Sequence, residues 1–168
     1  IAEAKRKGMK IIILDHHEAG AELPAADIIV DPKAVGEADY TEYCGAGIAY
    51  KLAEEIFGKD HPVMKKLSCF AAIGTIGDSV EISEDNRKIV IDGLENMKRG
   101  KGSEGLKILL EAQKFSEGNT ATDVAFNIVP VLNACGRLKD DGAKMGVVAL
   151  IDGGREKREK VNELLELN

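Results

Sequence analysis

The chain has few aromatic residues and no tryptophan. Aromatic side chains make up 4% of its 168 residues, whereas 44% of the residues are hydrophobic. A chain of this length predicts a single domain. Its core must therefore be built mainly from aliphatic side chains.

The sequence also lacks an excess of basic charge and a long apolar run. The formal net charge is −6, and acidic and basic residues are interspersed, which argues against a self-sufficient DNA-binding module. No uninterrupted apolar stretch approaches the roughly 18 to 20 residues of a membrane span, and no signal peptide precedes the first predicted strand. We therefore expect a soluble, cytoplasmic protein with no membrane association.

Cysteine is scarce and shows no metal-binding spacing. Cys44, Cys69 and Cys135 form no Cys-x-x-Cys pair, and their number is odd. This pattern is typical of small packing residues in a reducing compartment.

Two short apolar runs near the amino terminus predict strands of a parallel sheet. Residues 9–14 follow a helix that ends at Gly8, and residues 27–31 stop before Pro32. Both runs are rich in β-branched residues, as strands buried on both faces are. The loop between them, residues 18–26, is too short for a long crossover helix, so we expect the strands to be neighbours.

The pattern after the second strand is mostly helical, so the predicted fold class is α/β, a parallel sheet followed by a helical portion. One helix is expected from Glu42 to Gly58, and another opens at Pro62 and leads into an apolar run that ends at Asp78. Further helices are predicted over residues 85–99, 103–113, 121–132, 143–151 and 154–167.

Asp15, His16 and His17 directly follow the first predicted strand. Loops at the carboxyl ends of parallel strands converge on the ligand crevice of an open α/β sheet. A carboxylate and imidazoles together suit manganese, zinc or iron better than calcium. The tripeptide predicts either a metal site or a strand that happens to end in polar residues, and these residues alone leave both open.

Asp78 is a second candidate, because it follows a run of small and apolar residues. Gly74 and Gly77 permit close backbone approach before it. A carboxylate at the edge of a buried segment needs a partner, since burying an unpaired charge is costly. A metal ion would supply that partner; the alternative is an N-cap or turn Asp that precedes Ser79.

A third candidate lies within residues 129–138. Pro130, Asn133 and Gly136 predict a turn between two helices, from which Arg137 emerges. A guanidinium pairs bidentately with phosphate, and a neighbouring glycine lets a bulky anion approach the backbone. The alternative is an ordinary loop arginine in a surface salt bridge.

Several segments of the chain occur in the same order as the sequence motifs of a known family. They are residues 13–17, 30–33, 43–52, 72–80, 86–87, 93–94, 105–106 and 133–138. In this order they resemble the DHH phosphoesterase superfamily and, within it, the RecJ family of single-strand-specific DNA exonucleases. The histidine tripeptide is generic to the superfamily, whereas the segment Asn-Ala-Cys-Gly-Arg-Leu at 133–138 is much more specific to RecJ-like members.

The resemblance implies a phosphodiesterase with two divalent metal ions, manganese or magnesium, that removes nucleotides from the 5′ end of single-stranded DNA. It implies that His16 and Asp78 are metal ligands. It also implies that His17 faces the scissile phosphate, and that Asp15 is a carboxylate that orients a ligating imidazole.

The same resemblance assigns a substrate-binding role to the third candidate segment. Arg137 would grip a phosphate of the substrate strand, and Asn133 and Gly136 would shape its surroundings. The implied biological setting is DNA repair and recombination, with other repair proteins as possible partners. A basic groove and aromatic stacking surfaces, which single-strand binding usually needs, would come from parts outside this acidic chain.

The sequence also departs from the family pattern. RecJ-like proteins carry an aspartate-rich motif and a second isolated aspartate upstream of the histidine tripeptide, and neither occurs in this chain. We therefore expect residues 1–152 to be a partial DHH domain and residues 153–168 to begin a connector helix to a second domain. The isolated chain should bind metal weakly and have little or no nuclease activity.

Two other functions remain open. A DHH relative that hydrolyses oligoribonucleotides or cyclic dinucleotides would share the tripeptide and Asp78 but not the 133–138 segment. A non-catalytic RecJ-like replication scaffold is the second alternative, although a scaffold need not retain Asp15, His16, His17 and Asp78 together.

Overall fold

A computed structural model describes residues 1–34, 38–138, 141–151 and 157–167. A two-stranded parallel sheet is followed by helices, which confirms the predicted fold class. The elements are α1 (Ala2–Arg6), β1 (Ile12–Leu14), β2 (Ile28–Val30), α2 (Gly45–Phe57), α3 (Pro62–Gly77), α4 (Glu84–Lys98), α5 (Glu104–Ala112), α6 (Ala121–Asp123), a π-helical turn (Val124–Ile128), α7 (Val129–Leu138), α8 (Gly142–Ile151) and α9 (Lys157–Glu166). No helix in these ranges combines the length and hydrophobicity needed to cross a membrane.

The two strands pair in parallel as neighbours, with Ile12 opposite Ile28. They are shorter than predicted, and the expectation that they are buried on both faces is wrong: Ile12 is 59% exposed and Ile28 is 52% exposed. Parallel sheets are buried when helices cover both faces. Within the described part of the chain, α2 contacts β1, and the side chains of Ile12 and Ile28 remain open to solvent.

The helix starts follow capping chemistry. The Cys44 Sγ accepts the backbone N–H of Gly47, so α2 begins at Gly45, three residues after the predicted start. Pro62 is the first residue of α3, as predicted, and the His61 Nδ1 accepts the N–H of Val63. Proline suits this position because its missing N–H would be unpaired there anyway.

The predicted turn at residues 129–138 is wrong. This segment forms α7, a continuous helix that carries Asn133, Gly136 and Arg137. Pro130 lies in the first turn of the helix, where proline is tolerated. Burial of Val131 and Cys135 on the opposite face stabilises the helix despite Gly136.

The hydrophobic core joins α3 through α9 and is almost entirely aliphatic. Its fully buried members include Leu106, Leu109, Val124, Ile128, Val131, Val161 and Leu164. The three cysteines are buried and free, as the sequence predicts. The most extensive contact among the described helices is between α3 and α4, where Gly93 lies directly against the Ser68 carbonyl and Ala72.

Helix α9 buries Val161 and Leu164 in this core. Its described part is therefore packed on the rest of the molecule. The predicted start of a connector, residues 153–156, lies outside the described residues, as does residue 168. A connector role for residues 153–168, and the division from residues 1–152, stay predictions.

Candidate metal and phosphate site

The tripeptide that follows β1 is organised around the Asp15 carboxylate. The backbone N–H of Asp15 bonds to the Val30 carbonyl, which extends the sheet to this residue. The Asp15 Oδ1 lies 2.7 Å from the Nδ1 of His17 and accepts the backbone N–H of His16 at 2.8 Å. These bonds, that from the His17 ring first, lower the pKa of Asp15 to about 2. The carboxylate is therefore anionic at neutral pH and fixes the turn.

One donor atom from each of Asp15, His16 and His17 lies within 4.8 Å of the others. This is the one group of three or more potential metal donors found among the described residues. Oxygen and imidazole nitrogen donors suit manganese and related ions. The donor chemistry and the spacing fit a divalent metal.

Asp78 reaches this group from a distant part of the sequence. It is the C-cap residue of α3, not an N-cap, and its Oδ2 lies 3.5 Å from the Nε2 of His16. Nitrogen and oxygen ligands bind metals such as zinc at about 2.0–2.2 Å. Two donor atoms 3.5 Å apart can therefore share one ion, so His16 and Asp78 fit as co-ligands.

The Asp15 carboxylate contacts the ring of His17, not the ring of His16. The resemblance had implied that Asp15 orients a ligating imidazole, with His16 as the ligand. In the structure Asp15 holds the His16 backbone and the His17 side chain. With Nδ1 bonded to Asp15, the Nε2 of His17 is the nitrogen available to a ligand or substrate.

The amino terminus of α2 lies beside the imidazoles. A Cβ atom built on Gly45 would come within 3.8 Å of the His16 Cδ2, an ordinary contact. One built on Gly47 would come within 3.3 Å of the Tyr43 ring. The backbone of α2 therefore approaches the site at Gly45, whereas Gly47 packs against Tyr43.

A set of hydrogen bonds, to which sequence reasoning assigned no role, joins the loop after Asp78 to the loop before α2. The buried Asn86 side-chain amide donates to the carbonyls of Glu42 (2.6 Å) and Glu81 (2.8 Å). The Tyr43 hydroxyl donates to Asp85 at 2.6 Å. Burial, followed by this bond, raises the pKa of Tyr43. We call these contacts the loop clamp. Asn86 lies in a segment that resembles the family, but the sequence does not show that its side chain is buried.

Asn133 lies in the same groove as Asp78. The groove is lined by Ile73, Gly74, Gly77, Asp78, Val129, Leu132 and Asn133. Gly136 and Arg137 are exposed further along α7 and do not line this groove. A Cβ atom built on Gly136 would meet nothing within 4 Å, so the space beside it is open to a ligand.

Comparison with known proteins identifies the family. Residues 1–75 match the family model described as DHH family, N-terminal domain. The chain is 42% identical to the single-stranded-DNA-specific exonuclease RecJ of Bacillus subtilis over 139 residues, which cover 81% of this chain and 17% of the relative. It is 33% identical to RecJ of Escherichia coli over 184 residues, which cover 100% of this chain and 31% of the relative. The chain thus spans less than a third of the length of these curated relatives.

Solved structures agree with the sequence comparison. An exonuclease RecJ bound to manganese superposes with a TM-score of 0.82 and 33% identity, over 98% of this chain and 42% of that one. RecJ of Thermus thermophilus in complex with Mn²⁺ gives a TM-score of 0.81 and 31% identity, over 99% of this chain and 25% of that one. Its complex with Mg²⁺ gives 0.74. From these matches and the ordered motifs, the chain belongs to the DHH phosphoesterase superfamily and, within it, to the RecJ family.

Proposed function

We propose that this chain carries part of the metal-dependent phosphodiesterase site of a RecJ-like exonuclease that degrades single-stranded DNA from the 5′ end in DNA repair and recombination. The observation that carries the proposal is the approach of His16 and Asp78, far apart in sequence, beside Asp15 and His17. The relatives are named single-stranded-DNA-specific exonucleases, and the matched RecJ structures are complexes with manganese or magnesium.

In this proposal His16 and Asp78 hold one divalent ion, manganese or magnesium, of a two-ion centre. Two such ions supply charge neutralisation and water activation for in-line displacement at a phosphodiester. Asp15 holds the ring of His17 through Nδ1. The His17 side chain is otherwise exposed, so its Nε2 is free to meet a phosphate oxygen of the substrate.

Arg137 binds a phosphate of the same strand in this proposal. Its guanidinium is on the exposed face of α7, and Asn133 on the same helix lines the groove that contains Asp78. A planar guanidinium offers paired donors that match phosphate oxygens. Open space beside Gly136 allows the phosphate to approach the helix.

Manganese titration of the purified chain by calorimetry tests the metal assignment. Weak binding is expected, because the described residues offer few metal donors. His16→Ala and Asp78→Asn should each weaken binding by roughly tenfold or more, since even residues that only support a ligand contribute about 10- to 100-fold. Asp60→Asn, an exposed carboxylate between α2 and α3, is the control. Equal affinity in all four proteins would refute the assignment of His16 and Asp78.

Activity is tested in a chimera, in which this chain replaces the matching segment of Bacillus subtilis RecJ. We expect cleavage of long 5′-labelled single-stranded DNA with manganese, and its loss on His16→Ala. The isolated chain should be nearly inactive. A folded chimera that cleaves only dinucleotides or cyclic dinucleotides would favour the small-nucleotide alternative, and one that binds DNA without cleavage would favour the scaffold. Cytoplasmic location and association with repair proteins stay predictions, testable by fractionation and co-purification.

A further inference from the structure

Phe126 is the most exposed aromatic side chain of the molecule. The chain has four phenylalanines and three tyrosines, and five of these seven side chains are half-buried. Phe126 is 75% exposed and Phe57 is 51% exposed. An aromatic ring that leaves this much surface in water gains little from folding and is available for contact with a ligand.

The local backbone explains how the ring is presented. Phe126 lies in the π-helical turn immediately before α7. Pro130 has no N–H, and its ring crowds the carbonyl four residues earlier, which is that of Phe126. The wider turn accommodates this crowding, and such π-helical insertions occur frequently at functional sites.

Phe126 shares one helix face with the proposed phosphate-binding residues. Helical spacing places residues 122, 126, 130, 133 and 137 on a common side. Thr122, Phe126, Asn133 and Arg137 are all exposed. The opposite side carries Ile128, Val131 and Cys135, which are fully buried. An aromatic ring, an amide and a guanidinium therefore follow one another along a single solvent-facing strip.

This strip is continuous with the candidate site. Asn133 contributes to the groove that contains Asp78, and Asp78 contacts His16. A rise of 1.5 Å per residue separates Phe126 from Arg137 by about 16 Å along the helix axis. Asn133 lies between them, so a strand that crosses the groove along this strip would meet Phe126 on one side and the phosphate-binding guanidinium of Arg137 on the other.

The composition of the strip favours a nucleobase over a protein partner. Protein-binding surfaces present contiguous apolar patches, typically several hundred Å² in area. Here one large apolar ring lies between Thr122, Asn127 and Asn133, which are polar and exposed. Single-strand-binding proteins combine cationic groups that bind the backbone with aromatic rings on which bases stack, because every base has a face that can stack.

We propose that Phe126 is a stacking subsite for one nucleobase of the strand whose phosphate binds Arg137. This rests on the proposed function, since it requires that the groove accept single-stranded DNA. It adds a base contact outside the metal and phosphate residues, and it gives the aromatic-poor chain a stacking surface of its own.

Tryptophan fluorescence offers a direct test, because the chain has no native tryptophan. Phe126→Trp places a single indole at the proposed subsite, and Phe57→Trp places one at another exposed position. Both proteins are titrated with oligothymidylate and with an abasic oligonucleotide of equal length, in manganese buffer. We expect saturable quenching of Phe126→Trp by oligothymidylate and much less by the abasic strand. Equal responses to the two strands, or at the two positions, would overturn the proposal.

Affinity measured by fluorescence anisotropy of labelled DNA separates the two hypotheses. Phe126→Ala should weaken oligothymidylate binding roughly 5- to 100-fold, as loss of base stacking does, with little effect on the abasic strand; Phe126→Tyr should restore binding. Arg137→Ala should weaken the binding of both oligothymidylate and the abasic strand. If Arg137→Ala weakens binding and Phe126→Ala does not, the stacking subsite is refuted and the proposed function survives. These affinities are measured in the chimera described above, and if the folded wild-type chimera binds neither strand, both are refuted.

Discussion

The helical region, α3 to α9, and the strand region, residues 9–34, differ sharply in packing. The helical region buries side chains such as Leu109, Ile128 and Leu164 completely, whereas Ile12 and Ile28 in the strand region are mainly in water. The candidate site uses both: His16 comes from the strand region and Asp78 from the end of α3. Half of the site therefore belongs to the part of the molecule that contributes little hydrophobic stabilisation.

Local polar contacts help to hold the strand region in place. Asp15 fixes the turn that carries both imidazoles, and Gly45 of α2 lies against His16. The loop clamp then ties the segment before α2 to the segment after Asp78. Two regions of unequal stability can thus present one site, provided that the contacts between them stay intact.

The largest expected effect is the loss of a core side chain. Leu109→Ala should lower the free energy of unfolding by about 2–5 kcal/mol, because it leaves a cavity among buried neighbours. Ile12→Ala should lower it by less than about 0.5 kcal/mol, as surface substitutions generally do. Urea denaturation followed by circular dichroism measures both. Similar losses in the two variants would show that the strand region is as tightly packed as the core.

The second effect concerns the boundary between the regions. Asn86→Ala removes two hydrogen bonds: the Glu42 carbonyl loses this donor, and the Glu81 carbonyl keeps only the longer bond from the Tyr40 hydroxyl, at 3.4 Å. We expect a loss of about 2–3 kcal/mol, since an unsatisfied buried group costs about 1–3 kcal/mol. Asn86→Asp keeps the shape of the side chain but replaces the donating amide nitrogen with an oxygen. That oxygen would face two carbonyl oxygens without a hydrogen bond, so the substitution should be at least as destabilising as Asn86→Ala. A well-tolerated Asn86→Asp would disprove the clamp.

Sequence reasoning recovered the features that are encoded locally. The start of α3 at Pro62 and the pairing of β1 with β2 follow from backbone chemistry and loop length. Local patterns and the family resemblance together indicated the candidate site residues, and the structure brings His16, Asp78 and Asn133 to adjoining positions. These features depend on nearby residues or on an ordered set of motifs.

The errors came from features that depend on tertiary packing. Pro130, Asn133 and Gly136 carry local turn signals, but burial of the opposite face makes residues 129–138 helical. The apolar composition of the strands predicted burial on both faces, yet Ile12 is exposed. The burial of Asn86 and the exposure of Phe126 depend on how their helices pack, and no local pattern reveals that.

A third comparison uses a glycine of the helical region and one of α2, the helix that contacts β1. A Cβ atom at Gly93 would overlap Ala72 and the Ser68 carbonyl, whereas one at Gly45 would make an ordinary contact with His16. Gly93→Ala should therefore destabilise by about 1–3 kcal/mol through overpacking of α3 on α4. Gly45→Ala should change stability by less than about 0.5 kcal/mol. Thermal unfolding of both variants measures the difference, and a tolerated Gly93→Ala would show that the α3–α4 contact can relax.

The smallest expected effect is the acid sensitivity of the loop clamp. Hydrogen bonds from Lys88 and then Tyr43 lower the pKa of Asp85 from 3.8 to about 2. Because the folded-state pKa is below the unfolded one, this carboxylate stabilises the fold above about pH 4, and the contribution disappears as the pH falls towards 2. Lys88→Met and Tyr43→Phe should each raise the pKa of Asp85, as NMR titration of its carboxyl carbon would report. They should also flatten the decline in stability between pH 4 and 2.

High salt distinguishes the two hydrogen bonds to Asp85. Lys88 lies on the surface, so high salt should reproduce part of the increase in the pKa of Asp85 expected for Lys88→Met. It should reproduce little of the increase expected for Tyr43→Phe, because the Tyr43 hydroxyl is half-buried against Asp85. An unchanged pKa in Tyr43→Phe would mean that the hydroxyl does not hold this carboxylate, and the two loops would then be joined by the hydrogen bonds of Asn86 and of the Tyr40 hydroxyl.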